Sequence, residues 1–185
     1  MGTDIRSKRG LLNLFQRCSP EVGRHFEHLP ELLADYPMEV ALAYVFQRLE
    51  LGQNMALYCG VVKLHRADSD VARNAIGSHH MTRRGFAELY RTVFNTDLPR
   101  EAKKDLETAE RTRDTIMHGG AASEDRQRNA IGRVLEFAEA ANEQLHQNCQ
   151  LRPFCGFWRG FAGRLQKLEP RTTRFMLKGM GFTLR

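Results

Sequence analysis

The sequence predicts an all-α protein, and three observations carry that expectation. Leu (21 residues) and Ala (17) far outnumber Val (8) and Ile (4), and strands draw on β-branched side chains where helices draw on Leu and Ala. No stretch alternates apolar and polar residues with period two, and neither Asn-Gly nor Asp-Gly hairpin turns occur. Apolar residues instead recur every three or four positions almost throughout. At 185 residues the chain suits one domain. A domain of that length buries roughly 70% of its unfolded surface and needs neither disulfides nor metal to fold.

The elements follow in order. Residues 1–19 read as a basic leader. Residues 20–35 read as one or two short helices interrupted by Pro30. Pro37 starts a long helix to about His65, with Met38, Leu42, Val45, Leu49, Ala56 and Leu64 close to one face. Over 51–62 the other faces turn apolar too (Leu51, Met55, Tyr58, Cys59, Val62), which marks a central helix. Asp68-Ser69-Asp70 is a linker and a ready N-cap, followed by a turn or two over 70–76. A helix from Met81 to Asn95 buries Phe86, Leu89, Tyr90 and Val93. Pro99 occupies the first-turn position of the next helix, which runs to His118 and stops at Gly119-Gly120. Ser123 caps a helix over 124–148 with Ile131, Val134, Leu135, Ala138, Ala141 and Leu145 inward. Helices with apolar stripes must bury them on one another, so the body, 20–150, is expected to be a bundle.

Charge and cysteine usage exclude several classes. The net charge is +6 and the isoelectric point about 9.4. Residues 151–185 hold eight Lys and Arg against Glu169 alone, and the other 150 residues hold 20 bases against 21 acids. A near-neutral body thus carries a basic extension. No run of about 18 apolar residues occurs, which excludes a transmembrane helix. The first twenty residues lack a signal-peptide core, and Gly2 lacks the Ser or Thr a myristoylation signal needs. Cys18, Cys59, Cys149 and Cys155 form no Cys-x-x-Cys pair, and a reduced, cytoplasmic chain is the expectation. His146, Cys149 and Cys155 fit no standard zinc spacing. Neither metal nor cofactor is expected.

One local pattern carries chemistry. In the helix from Pro99 the apolar stripe runs Ala102, Leu106, Ala109, Ile116, Met117, and Arg113 falls where the stripe calls for an apolar side chain. A buried cation must be compensated. His118 follows in the last turn, where the partial negative charge of a helix C-terminus favours a cation. Asp114 stands four residues before His118, within reach to orient it. An Arg that grips phosphoryl oxygens beside a His that moves a proton suits phosphate chemistry. Residues five apart project about 140° apart on a helix, so the two converge only if the last turn unwinds or the Arg side chain wraps round. On spacing alone Arg113 reads as an ion-pair partner of Glu110 or Glu50, and His118 as a C-cap.

The string Arg113-Asp114-Thr115-Ile116-Met117-His118-Gly119 resembles the R-x4-6-H signature of the HEPN superfamily. Those are all-α domains in which a polar residue often follows the Arg and a Gly the His. The placement is similar as well, at the end of a late bundle helix followed by one more long helix, and the likeness spans about 38–148. The resemblance implies a HEPN-like up-down bundle acting as a metal-independent endoribonuclease. It assigns Arg113 to the scissile phosphate, His118 to general acid or base work in 2′-hydroxyl attack, and Asp114 to orienting His118 or lining the cleft. The products would be a 2′,3′-cyclic phosphate and a 5′-hydroxyl. It further implies RNA as partner, a homodimer with the motif helices near the interface, and a toxin or phage-defence role with an antitoxin or regulatory protein. Other family members are inactive scaffolds or nucleotide binders, which is the alternative expectation.

Glu50, Gln53 and Asn54 put polar groups into the central helix, either as a solvated or hydrogen-bonded strip or as cleft lining. His79-His80 read as an exposed loop, with a loop near the substrate as the alternative, and Arg83-Arg84 as a solvated face, with phosphate contact as the alternative. In the extension, Phe154, Phe157, Trp158, Phe161, Leu165 and Leu168 share one helical face, opposite Gly156, Gly160 and Gly163. This segment is expected to pack on the body or a partner. RNA contact comes next, through Arg159, Arg164, Lys167, Arg171, Arg174 and Lys178 with aromatic stacking. A membrane-surface or protein-interaction module led by this segment is a third class. After Pro170 the chain reads as a flexible phosphate-binding arm or a docked tail.

Overall fold

A computed structural model describes residues 4–78, 83–156 and 166–184, with the side chains of Arg83 and Arg84 set aside. Every regular element among the described residues is a helix: α1 (Lys8–Gln16), α2 (Pro20–His25), α3 (Leu29–Asp35), α4 (Met38–Lys63), α5 (Ser69–Ser78), α6 (Arg83–Phe94), α7 (Arg100–Met117), α8 (Glu124–Cys149) and α9 (Pro170–Gly179). The fold class is all-α, a helical bundle. His79, His80, Phe157, Trp158, Arg159, Gly160, Phe161, Gly163, Arg164 and Leu165 lie outside the described residues.

The helices gather into two compact units that interleave along the chain. The first takes residues up to Gly52 together with Pro99 onward through the segment after α8, and the second takes Gln53–Leu98 and the C-terminal segment. The division falls within α4.

The first unit is organised on the α7–α8 pair, with α1 and α2 also packed on α8. The inward face of α8 is the one its spacing predicts: Ile131, Val134, Leu135, Ala138 and Leu145 are fully buried and Ala141 nearly so. Helix α1 forms in what reads as a leader, because Ser7 caps it by accepting from the Gly10 N–H and Leu11 drops into the core. Ile5 meets Gly132 of α8 so closely that a β-carbon there would clash. Residues 151–156 are not helical. Buried Asn142 of α8 fixes Phe154 from both sides, accepting its N–H at 3.0 Å and donating to its carbonyl at 2.9 Å. The Phe154 ring then lies against Gly52 of α4, edge-on to Phe137 and His25. These bonds override the helical pattern read over this segment, since each satisfies a backbone group that would otherwise be buried unpaired.

The second unit is built on the later half of α4, where Met55, Ala56, Leu57, Val61 and Val62 are buried. Helix α6 contributes Phe86, Leu89, Tyr90 and Val93, and Val93 and Phe94 press on Gly60, where any side chain would clash. Asp68 caps α5, accepting from Asp70 and Val71 at 3.1 Å. The segment after Pro170 is helical and docked. Helix α9 packs on α5 and buries Thr173 and Leu177.

His25 is wholly buried in the first unit. Its Nε2 shares a 2.8 Å hydrogen bond with the Arg48 carbonyl, and Arg48 Nε donates to the His25 carbonyl at 2.6 Å. Burial lowers its pKa to about 4 from an ordinary 6.5, and the Arg48 charge adds to this. The unfolded chain therefore takes up a proton between pH 6.5 and 4 that the folded chain refuses. Stability from this residue is complete above 6.5 and falls as pH drops through that window, by about 3 kcal/mol at most. Urea unfolding of wild type and His25→Gln at pH 7 and pH 4.5 checks this: the wild type is expected to lose more stability than the variant over that interval. Equal losses would contradict it.

Candidate active site at the end of helix α7

Helix α7 starts after Pro99 and ends in a closed glycine turn. His118 is the C-cap, and Gly119 takes φ +81°, a left-handed conformation that only glycine adopts without strain. The Gly119 N–H donates to the Ile116 carbonyl at 3.0 Å and the Gly120 N–H to the Thr115 carbonyl at 2.8 Å. Two of the helix's last carbonyls are thereby satisfied. The His118 N–H still reaches the Asp114 carbonyl at 3.0 Å, so the final turn stays α-helical and does not unwind.

This geometry separates the two motif side chains within one chain. The Arg113 guanidinium turns toward α4. Its Nε and Nη2 donate to Asp114 Oδ1 at 3.0 and 2.7 Å. Its Nη1 stands 3.6 Å from Glu50 Oε1, and its Cζ lies 5.2 Å from the centroid of the Phe46 ring. The side chain is 31% exposed. His118 is exposed at the helix end and is not among the groups this guanidinium touches. The Asp114 carboxylate, expected to orient His118, is engaged by Arg113.

The cation at a stripe position is thus compensated by two carboxylates and an aromatic face. The Nε and Nη2 edge is fully used by Asp114. The Nη1 end is only loosely paired, because 3.6 Å exceeds hydrogen-bond length. An anion arriving at the exposed edge would therefore find N–H donors on a guanidinium already held in orientation. Along the rest of the stripe, Leu106 and Ala109 are buried as expected, whereas Met117 is 70% exposed and Glu110 is buried in its stead. Met117 projects within about 20° of Leu106, on the same face as Glu110, and is exposed because it is the last residue of α7.

The other candidates are placed as follows. Glu50 belongs to the site through Arg113. Gln53 and Asn54 belong to the second unit, where Gln53 is buried and Asn54 Oδ1 is buried with no hydrogen-bond partner among the described residues. Lys167 ion-pairs with Asp68 at 2.7 Å, and Arg171, Arg174 and Lys178 are exposed on α9. Arg159 and Arg164 lie outside the described residues. Cys18 makes a poor nucleophile, because burial and neighbouring Glu139 push its thiol up to about 12. The seating of the Arg113 cation over the Phe46 ring has no signal in the sequence, since nothing local ties α7 to that turn of α4.

The glycine turn sets where His118 sits. Gly119→Ala forces a β-carbon into a left-handed backbone and is expected to destabilise by about 1 kcal/mol. Gly77→Ala, at a helical glycine with open space around it, is the control and is expected to be neutral or slightly stabilising. Paired thermal melts check the difference, and equal melting temperatures for the two variants would contradict the strained cap.

Compared with protein-family models, curated proteins and solved structures, the chain matches none.

Proposed function

We propose that the chain is a metal-independent endoribonuclease of HEPN type, with Arg113 and His118 as its catalytic residues. The observation that carries the reading is the Arg113 guanidinium at the end of α7. It is fixed by Asp114 and Phe46, with its Nη1 end loosely paired and accessible, and an exposed His118 closes the same helix. Arg113 grips the scissile phosphate and stabilises the charge that grows on its oxygens. His118 serves proton transfer as the RNA 2′-oxygen attacks phosphorus and the bond to the 5′-oxygen breaks. The 2′-hydroxyl loses its proton and the leaving 5′-oxygen gains one. The products are a 2′,3′-cyclic phosphate and a 5′-hydroxyl.

Arg113 and His118 do not meet within one chain, and a homodimer bringing two α7 ends to one cleft would supply the missing convergence. Met117, exposed at the same helix end, offers an apolar side chain to such a partner. The reading sets the protein in the cytoplasm among its RNA substrates, as a toxin or phage-defence factor with a regulatory partner. No described helix is long and apolar enough to cross a membrane. The commitment of Arg113 to Asp114 favours one competing reading, an inactive HEPN-like module that binds RNA or a nucleotide without turnover.

Incubation of purified protein with mixed RNA in EDTA separates the two. Wild type is expected to cut. Arg113→Ala and His118→Ala are each expected to lose activity by at least about a hundredfold, the scale of a lost general acid–base group. Absence of cutting by wild type, or full activity in both variants, would overturn the proposal.

A further inference from the structure

We propose that the outward face of α9 is a binding surface for single-stranded nucleic acid. Phe175 stacks on a base, and Arg171, Arg174 and Lys178 hold the neighbouring phosphates. Phe175 is 83% exposed, whereas Phe26, Phe46, Phe86, Phe137, Phe154 and Phe182 are all at most 3% exposed. A solvent-facing Phe on a docked helix is therefore out of character for this chain.

The helix geometry groups it with charge. At 3.6 residues per turn, Arg171, Arg174 and Lys178 all project within about 100° of Phe175 and to the same side. Thr173 and Leu177 project opposite and are fully buried. The helix contains no acid, and among the described residues no carboxylate pairs with any of the three cations. An aromatic face flanked by unmatched cations fits a strand whose bases are open and whose phosphates are close by.

The surface is also pre-organised. The Asp68 N–H donates to Thr173 Oγ1 at 2.9 Å, Lys167 pairs with Asp68 at 2.7 Å, and the Leu168 N–H donates to the Arg66 carbonyl at 2.8 Å. Little ordering remains to be done on binding. A lipid surface fits less well. The apolar face of α9 is spent on α5, and a membrane-bound helix needs a broad apolar face directed outward.

This inference stands apart from the Arg113–His118 reading. It is tested by binding rather than cleavage, on full-length His118→Ala protein so that cutting does not intervene. The probe is a labelled oligouridylate titrated at several salt concentrations. Phe175→Ala is expected to weaken binding about tenfold, the lower part of the stacking range, without changing the salt slope. Phe175→Trp is expected to retain affinity. Alanine at Arg171, Arg174 or Lys178 is expected to flatten the slope of log K against log salt by about 0.7 each. The proposal is overturned if Phe175→Ala binds as tightly as its parent, if Phe175→Leu binds as well as Phe175→Trp, or if removing all three cations leaves the slope unchanged. Phe175-dependent sedimentation with phosphatidylserine vesicles, without oligouridylate binding, would also overturn it. All four side chains are exposed, so matched circular dichroism melts are expected across the variants.

Discussion

The end of α7 is organised around the seating of one guanidinium, that of Arg113. Arg113 falls at a position of α7 whose period calls for an apolar side chain, and the fold accommodates it without neutralising it. Asp114 takes two of its N–H donors, the Phe46 ring supports its plane, and Glu50 balances its charge from a distance. Each contact holds the cation in one orientation while leaving an edge exposed. Its orientation is therefore set before any ligand arrives, unlike that of a solvated surface arginine.

The rest of the first unit fixes where that edge lies. Helix α8 is buried along its whole inner face and gives α7 a firm backing. The glycine turn after His118 ends α7 without fraying, so the last turn keeps its register. The same regularity points Arg113 and His118 in different directions within one protomer. A catalytic role for the pair would require a second copy or a bound strand to bring them to one phosphate.

Much of this was legible in the sequence. Proline, serine and glycine punctuation at Pro99, Ser123 and Gly119 marks α7 and α8 to within a residue or two, because those residues act through local backbone chemistry. Glu50 was one of two carboxylates the spacing offered to Arg113. What was not legible depends on distant partners. Asn142 holds Phe154 in a non-helical segment, although the aromatic spacing there is helical. Helix α1 reads as part of a basic leader because its apolar run, Leu11, Leu12, Leu14 and Phe15, spans little more than one turn, and the local signal that marks its start is the cap at Ser7. The two compact units draw on interleaved stretches of chain, which no linear reading of composition reveals. Asp114 is the instructive case at the site. Its spacing from His118 suits an orienting role, and the contact the structure gives its Oδ1 is with the adjacent Arg113.

Under the proposed function RNA is cut by its own 2′-hydroxyl, with Arg113 and His118 supplying charge and proton transfer. A defined RNA that the protein cuts in EDTA, remade with a single 2′-deoxy sugar on the 5′ side of the cut, is the sharpest test. Cleavage at that bond is expected to vanish while any other sites are still cut, and the unmodified product is expected to carry a 2′,3′-cyclic phosphate. Undiminished cleavage at the deoxy position would exclude attack by the 2′-hydroxyl.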